Sequence, residues 1–188
     1  MILLQLSAMS IDTYWRMLLL HIPGYIYQVL FGILVVGACF FFVFKGKREG
    51  LVYTIRLLLI DVLFFVYCST LIYRKCHGKY QFNYRPFWSY DAINAGNSLL
   101  LSENIMNVLA FIPIGMLLGF GYSRIPWWKL IGIGCFFSIT IEVMQLITKR
   151  GYSETDDVIH NTLGCLIGYS LYIVLKHIYK IFVVTDMK

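Results

Sequence analysis

Between Tyr25 and Phe44, twenty consecutive residues contain one strongly polar side chain, Gln28. Coiled as a helix, such a run covers roughly 30 Å, the thickness of a bilayer's hydrocarbon core. The pattern recurs, giving expected spans at about 25–44, 51–73, 104–121, 127–147 and 157–181. Of 188 residues, 59% are hydrophobic and 14% charged, where a soluble domain is about half apolar and about a quarter charged. A lone water-soluble domain could not bury that much apolar surface, and a disordered chain would be poorer in apolar residues. In lipid the backbone must satisfy its own hydrogen bonds. The expected fold is therefore all-α. It is a single integral membrane domain over 1–188, a bundle of about five transmembrane helices. A short interfacial helix within 1–21 precedes them, with Tyr14 and Trp15 at headgroup level. No cleavable leader is apparent, and the first span is expected to act as an uncleaved signal anchor.

Sixteen basic and ten acidic residues give a formal charge of +6. The cations gather beside the apolar runs, at Lys45, Lys47, Arg48, Arg74, Lys75, Lys149 and Arg150. That is where membrane proteins meet anionic headgroups, so the expected partner is the lipid bilayer and not nucleic acid. Of five cysteines, four sit in apolar runs and only Cys76 in a polar loop. An odd count without paired spacing describes neither a disulfide framework nor a zinc site. No cofactor is expected.

Two spans carry polar residues that cost free energy in lipid. Arg56 and Asp61 lie in the second; Arg56 is near enough to an end to snorkel, while Asp61 is deeper and needs a partner or a task such as proton relay. Pro113 interrupts the third. The long segment from Arg74 to about Ser102 reads as an aromatic-rich loop on the membrane surface.

Hairpin topology puts this loop, the start of span three, the end of span four and the start of span five on one membrane side. Arg85, Glu103, Asn104, Asn107, Glu142, Gln145, Arg150, Asp157, His160 and Asn161 all fall there. With the Lys45–Glu49 turn inside the cell, basic residues divide nine to seven in favour of the inside, which turns this polar face outward. Glu142, Gln145 and Lys149 share one helix face, and Asp157, His160 or Asn161, Gly164 and Gly168 another. The pairs Gly115/Gly119 and Gly164/Gly168 permit close helix approach.

Three readings of the cluster stay open. Glu142, Gln145, Arg150, Asp157 and Asn161, with Asn104, Asn107 and Arg85, could bind an anionic envelope component, the arginines gripping its charge. Glu142 and Asp157 could be an intramembrane acid and base, or with His160 a metal-ligand set; spacing alone supports the metal least. Or the cluster could only lock the bundle. One of Asp156 and Asp157 is expected to cap its own helix.

The stretch Asn104 to Leu118, with Asn107, Phe111-Ile-Pro113-Ile-Gly115 and Leu117-Leu118, resembles the Phe-x-Pro-x-Gly-x-Leu-Leu segment of the VanZ-like family. Glu142-Val-Met-Gln145, Arg150 and Asp157-Val-Ile-His160-Asn161-Thr-Leu-Gly164 with Gly168 resemble its Glu-x-x-Gln, Arg and Asp-Val-x-x-Asn-x-x-Gly-x-x-x-Gly elements. Arg85-Pro86-Phe87 is similar to its Pro-Phe pair. The resemblance covers roughly 80–175. It implies a small bacterial polytopic protein of the cell envelope, in the cytoplasmic membrane. The family's namesake is linked to resistance to glycopeptide antibiotics, teicoplanin in particular. The convergence of polar residues at one membrane level, and not the resemblance, suggests the ligand: a cell-envelope glycan or lipid-linked precursor, with binding favoured over catalysis and an enzymatic role left open.

The orientation is testable with the native thiol. A membrane-impermeant thiol reagent is expected to label Cys76 in intact cells, and a cysteine placed at Lys47 only after lysis.

Overall fold

The computed structural model describes residues 24–72, 74, 76 and 78–185. The interfacial helix expected within 1–21 lies outside them. Helix α1, Gly24–Tyr67, is bent sharply at Gly46, whose φ of 76° and ψ of 170° are not helical. A residue with a Cβ rarely takes such angles, so the glycine divides α1 into two arms. A π-helical turn, Cys68–Ile72, closes the second arm. There follow strand β1 (Phe82–Asn83), α2 (Trp88–Asn94), α3 (Leu99–Gly121), α4 (Trp127–Thr148), β2 (Ser153–Glu154) and α5 (Thr155–Thr185).

Among the described residues, five stretches are long and apolar enough to cross a bilayer: Ile26–Lys47, Glu49–Ile72, Leu99–Gly121, Trp127–Thr148 and Thr155–Tyr179. The chain is an all-α, multi-pass membrane protein. The expected boundaries shift by up to five residues. The third span begins at Leu99 instead of 104, and the fifth at Thr155 instead of 157. Ser102 and Glu103 are polar and interrupt the apolar run before Asn104, yet a helix turn at the membrane surface needs backbone bonds, not apolar side chains. The region 74–102 is likewise not one loop, since it contains β1, α2 and the first turn of α3.

Helix α3 is central. Of its most apolar stretch 44% is buried, against none of the first arm's. Phe111, Ile114, Leu117 and Leu118 from α3 meet Leu59 and Val66 of the second arm, Leu130 and Ile141 of α4, and Cys165 of α5. The most extensive contact is α3 on α5, and it is made by glycines. A Cβ on Gly115 would strike the Cys165 carbonyl; on Gly164, that of Val108; on Gly168, that of Ile112. Backbone lies on backbone, the geometry that small residues make possible between helices in lipid.

At the opposite face from the expected polar site, Arg56 reaches out of its span. Its Nε donates to the Gly121 carbonyl at 2.9 Å, at the end of α3. Its guanidinium lies 4.6 Å from the centre of the Tyr122 ring and 5.4 Å from that of Tyr53. The cation thereby caps a helix C-terminus, where orphan carbonyls carry partial negative charge.

The two-stranded sheet is parallel, with Phe82 opposite Ser153 and Asn83 opposite Glu154. It ties the long connection to the short one between α4 and α5.

Gly168→Ala should lower stability by about 1–3 kcal/mol, the usual cost of overpacking. Gly132 has open space where its Cβ would stand. Gly132→Ala should leave stability unchanged or slightly raised, by helix propensity. Thermal unfolding of both variants in one detergent compares them.

Candidate functional site

The short connection after α4 turns through Gly151, and α5 starts four residues later with two aspartates. Asp156 is fully buried. Its Oδ1 accepts the Phe87 N–H at 2.5 Å, and its Oδ2 accepts both the N–H (3.0 Å) and the hydroxyl (2.5 Å) of Ser89. Three donors satisfy a carboxylate that would otherwise be costly to bury. The expected capping role is thus corrected in its object. Asp156 caps the first turn of α2, a different element, and not its own helix. It also holds Phe87, whose φ of 62° is unusual for a bulky residue. Asn104 donates to the Ser89 hydroxyl at 3.0 Å, so α3 joins the same anchor.

Asp157, partly buried, accepts the Asn107 amide at 2.7 Å. On α4, Glu142 is buried and its Oε2 accepts the Glu154 N–H at 2.8 Å. The Gln145 amide suits its neighbours with its nitrogen toward Glu142 Oε2 (3.3 Å) and the Tyr152 carbonyl (3.1 Å). One turn deeper, Asn161 donates to the Ser138 hydroxyl at 2.8 Å. His160 Nε2 is 2.9 Å from the Tyr90 hydroxyl. Asn104, Asn107, Glu142, Gln145, Asp157, His160 and Asn161 therefore do converge at one membrane face.

The arginines named from sequence are placed differently. Arg85 is 74% exposed and pairs with Asp91 at 2.7 Å. Arg150 Nη1 is bound to the Leu71 (3.3 Å) and Ile72 (2.7 Å) carbonyls at the end of the π-helical turn. Their expected joint grip on an anion is corrected accordingly. Among the described residues, the cation that acts on Glu142 and Asp157 is Arg74. Its Nη1 lies over Gly151, 2.8 Å from where a Cβ would be, and it interacts electrostatically with Glu142 and Asp157.

Sequence reading also left Glu154 out of the site. Its Oε2 accepts the Trp88 indole N–H at 3.0 Å. Burial first, and then the charge of Asp157, push its carboxyl from an ordinary 4.5 up to about 8, against the lowering effect of the Trp88 bond. Glu142, Glu154 and Asp157 thus form a carboxylate cluster, with Glu103 acting electrostatically on the latter two. Its position immediately before the fifth helix, which starts at Thr155, is the available signal for Glu154. Nothing in the local sequence pairs it with Trp88, 66 residues away. Such a cluster can accept hydrogen bonds from hydroxyl, amide or amine groups, or pass a proton between carboxyls. Among the described residues, no three His, Cys, Asp or Glu side chains are grouped to hold a metal ion. The proposed trio fails because His160 faces Tyr90 while Asp157 faces Asn107.

A family model described as VanZ/LLP1 matches residues 30–176. The match takes in both arms of α1 as well as the region of resemblance. Protein VanZ of Enterococcus faecium is 37% identical over 70 residues, which cover 37% of this chain and 44% of that relative. The chain thus spans less than half the length of the relative it matches. No solved structure matches.

The raised carboxyl of Glu154 sets a pH dependence. Between pH 4.5 and about 8 the folded protein keeps a proton that the unfolded chain has released. Stability should therefore fall as pH rises through that window and level off above it. Glu154→Gln should remove this part of the slope while keeping an acceptor for Trp88. Thermal unfolding from pH 4.5 to 9 reads both.

Proposed function

The chain belongs to the VanZ/LLP1 family, and from that premise we propose that it serves the cell envelope from the cytoplasmic membrane by binding an anionic envelope component at its polar face. The ligand class is a lipid-linked glycan or a peptidoglycan-type group, presented at the level where α3, α4 and α5 begin or end. The observation that carries this reading is the convergence of Glu142, Glu154 and Asp157 beside one cation, Arg74. Carboxylates accept from sugar hydroxyls and peptide N–H groups, and a guanidinium suits a phosphate or carboxylate on the same ligand. Acids buried near a helix end are costly, and retaining several together is what a working site does at the expense of stability. Occupying such a group, or shielding it, would lower susceptibility to glycopeptide antibiotics.

A second reading rests on Glu142 and Asp157 standing in one cluster, Glu142 on the Glu154 N–H at 2.8 Å and Asp157 three residues further along the chain. Two interacting carboxyls share protons unequally, as an acid–base pair requires. That reading predicts turnover of the bound component, not only retention.

Full-length protein in lipid nanodiscs would be titrated with a lipid-linked peptidoglycan precursor. Glu142→Gln and Asp157→Asn should each weaken binding about tenfold, the loss of roughly one charge-assisted hydrogen bond. Their unfolding temperatures should hold or rise. Cells carrying either variant should lose any gain in teicoplanin tolerance that the wild type provides. Undiminished binding would sink the proposal, and a large fall in unfolding temperature would mark the cluster as architecture. Release of a cleaved product would favour the acid–base reading.

A further inference from the structure

Asp61 stands apart from the polar face. It lies twelve residues after Glu49 and eleven before Ile72, so about 17 Å of helix separates it from either end of its span. It is 9% exposed, and its Oδ2 has no hydrogen-bond partner among the described residues. It lines a groove between the two arms of α1, whose other walls are Leu30, Phe31, Leu34, Leu58, Val62 and Phe65. The first arm buries none of its most apolar stretch, and Phe31 is 68% exposed. The groove therefore opens outward, toward lipid.

A carboxyl at mid-bilayer depth is expensive unless partnered. Water and headgroups lie at the span ends, and acyl chains carry no donor. Arg56, on the same helix, is committed to the Gly121 carbonyl and two tyrosine rings. Among the described residues, a second copy of this chain offers no cation at that depth. Among the described residues, Lys45, Lys47, Arg56, Lys129 and Lys176 are the lysines and arginines inside spans whose side chains are placed, and each is within seven residues of a span end. A helix lying along the groove would supply both what the walls require and what Asp61 lacks: an apolar body and one side chain bearing charge at mid-depth.

We propose that the groove between the arms of α1 receives a transmembrane helix of a partner protein, held by a basic residue opposite Asp61. The surface concerned is on the lipid-facing flank, away from Glu142, so it operates whatever binds the polar face.

The test uses the full chain in phosphatidylcholine vesicles, with benzoylphenylalanine at Phe31 and polyleucine transmembrane peptides as probes. A peptide with a central lysine should cross-link about ten times more than an all-leucine peptide, in line with the ~1–2 kcal/mol of polar contacts between membrane helices. Asp61→Leu should erase the difference. It removes a carboxyl from the bilayer centre, so insertion should not suffer, and thermal unfolding checks this. Moving the lysine to a quarter of the bilayer depth should return cross-linking to the all-leucine level. Equal yields with both peptides would overturn the proposal. So would adducts confined to lipid, to residues 1–23 of the same chain, or to a second copy.

Discussion

Everything at the polar face hangs on how near α5 lies to α3. Lipid tails are as apolar as leucine, so helices in a bilayer gain nothing by hiding from water there, and close packing must bring them together. Gly115, Gly164 and Gly168 let carbonyl oxygens of each helix rest on the other's backbone. Weak Cα–H···O contacts become available at that separation. A register follows with no slack in it: Asn107 meets Asp157, and one turn deeper Asn161 reaches Ser138 on α4. Larger residues at the three glycines would leave the same polar side chains too far apart to satisfy one another.

The second constraint is Asp156. A buried ion pair often contributes little, because desolvation offsets attraction. Here the carboxylate is met by backbone and hydroxyl donors of a loop that would otherwise have no reason to fold down. The loop carries Trp88 to Glu154 and Tyr90 to His160. The carboxylates that could serve a ligand are thus positioned by one that is already fully engaged. The division of labour between adjacent aspartates, 156 for the loop and 157 for the cluster, separates architecture from chemistry by one residue.

Much of this was legible in the sequence. Apolar run length alone located five spans, because a bilayer imposes one helix length on every crossing. Helical spacing and hairpin topology brought Glu142, Gln145, Asp157 and Asn161 to one level. The glycine pairs announced the close contact. What was not legible depends on side-chain direction across long sequence separations. Arg85 and Arg150 lie at the right level, yet one turns to Asp91 in solvent and the other to the carbonyls of Leu71 and Ile72. Arg74, in the middle of a basic stretch, looked like an ordinary headgroup contact. Helix α2 was hidden because its first turn is capped from elsewhere, so no local capping residue marked it.

The glycine-broken hairpin of α1 also orders how the protein can be made. Its two arms are neighbours in sequence and touch through Tyr27 and Phe65, Gly37 and Leu57, Phe41 and Tyr53. No residue after Ile72 is needed for those contacts to form. The polar face is different. Glu142 waits for the Glu154 N–H, and the loop before α3 waits for Asp156, both supplied on the way into the last helix. Until α5 emerges, the nascent chain holds an inserted acid and an unanchored loop. A stalled or truncated product is therefore chemically distinguishable from a finished one, and membrane proteases that survey exposed polar groups in lipid have a feature to read.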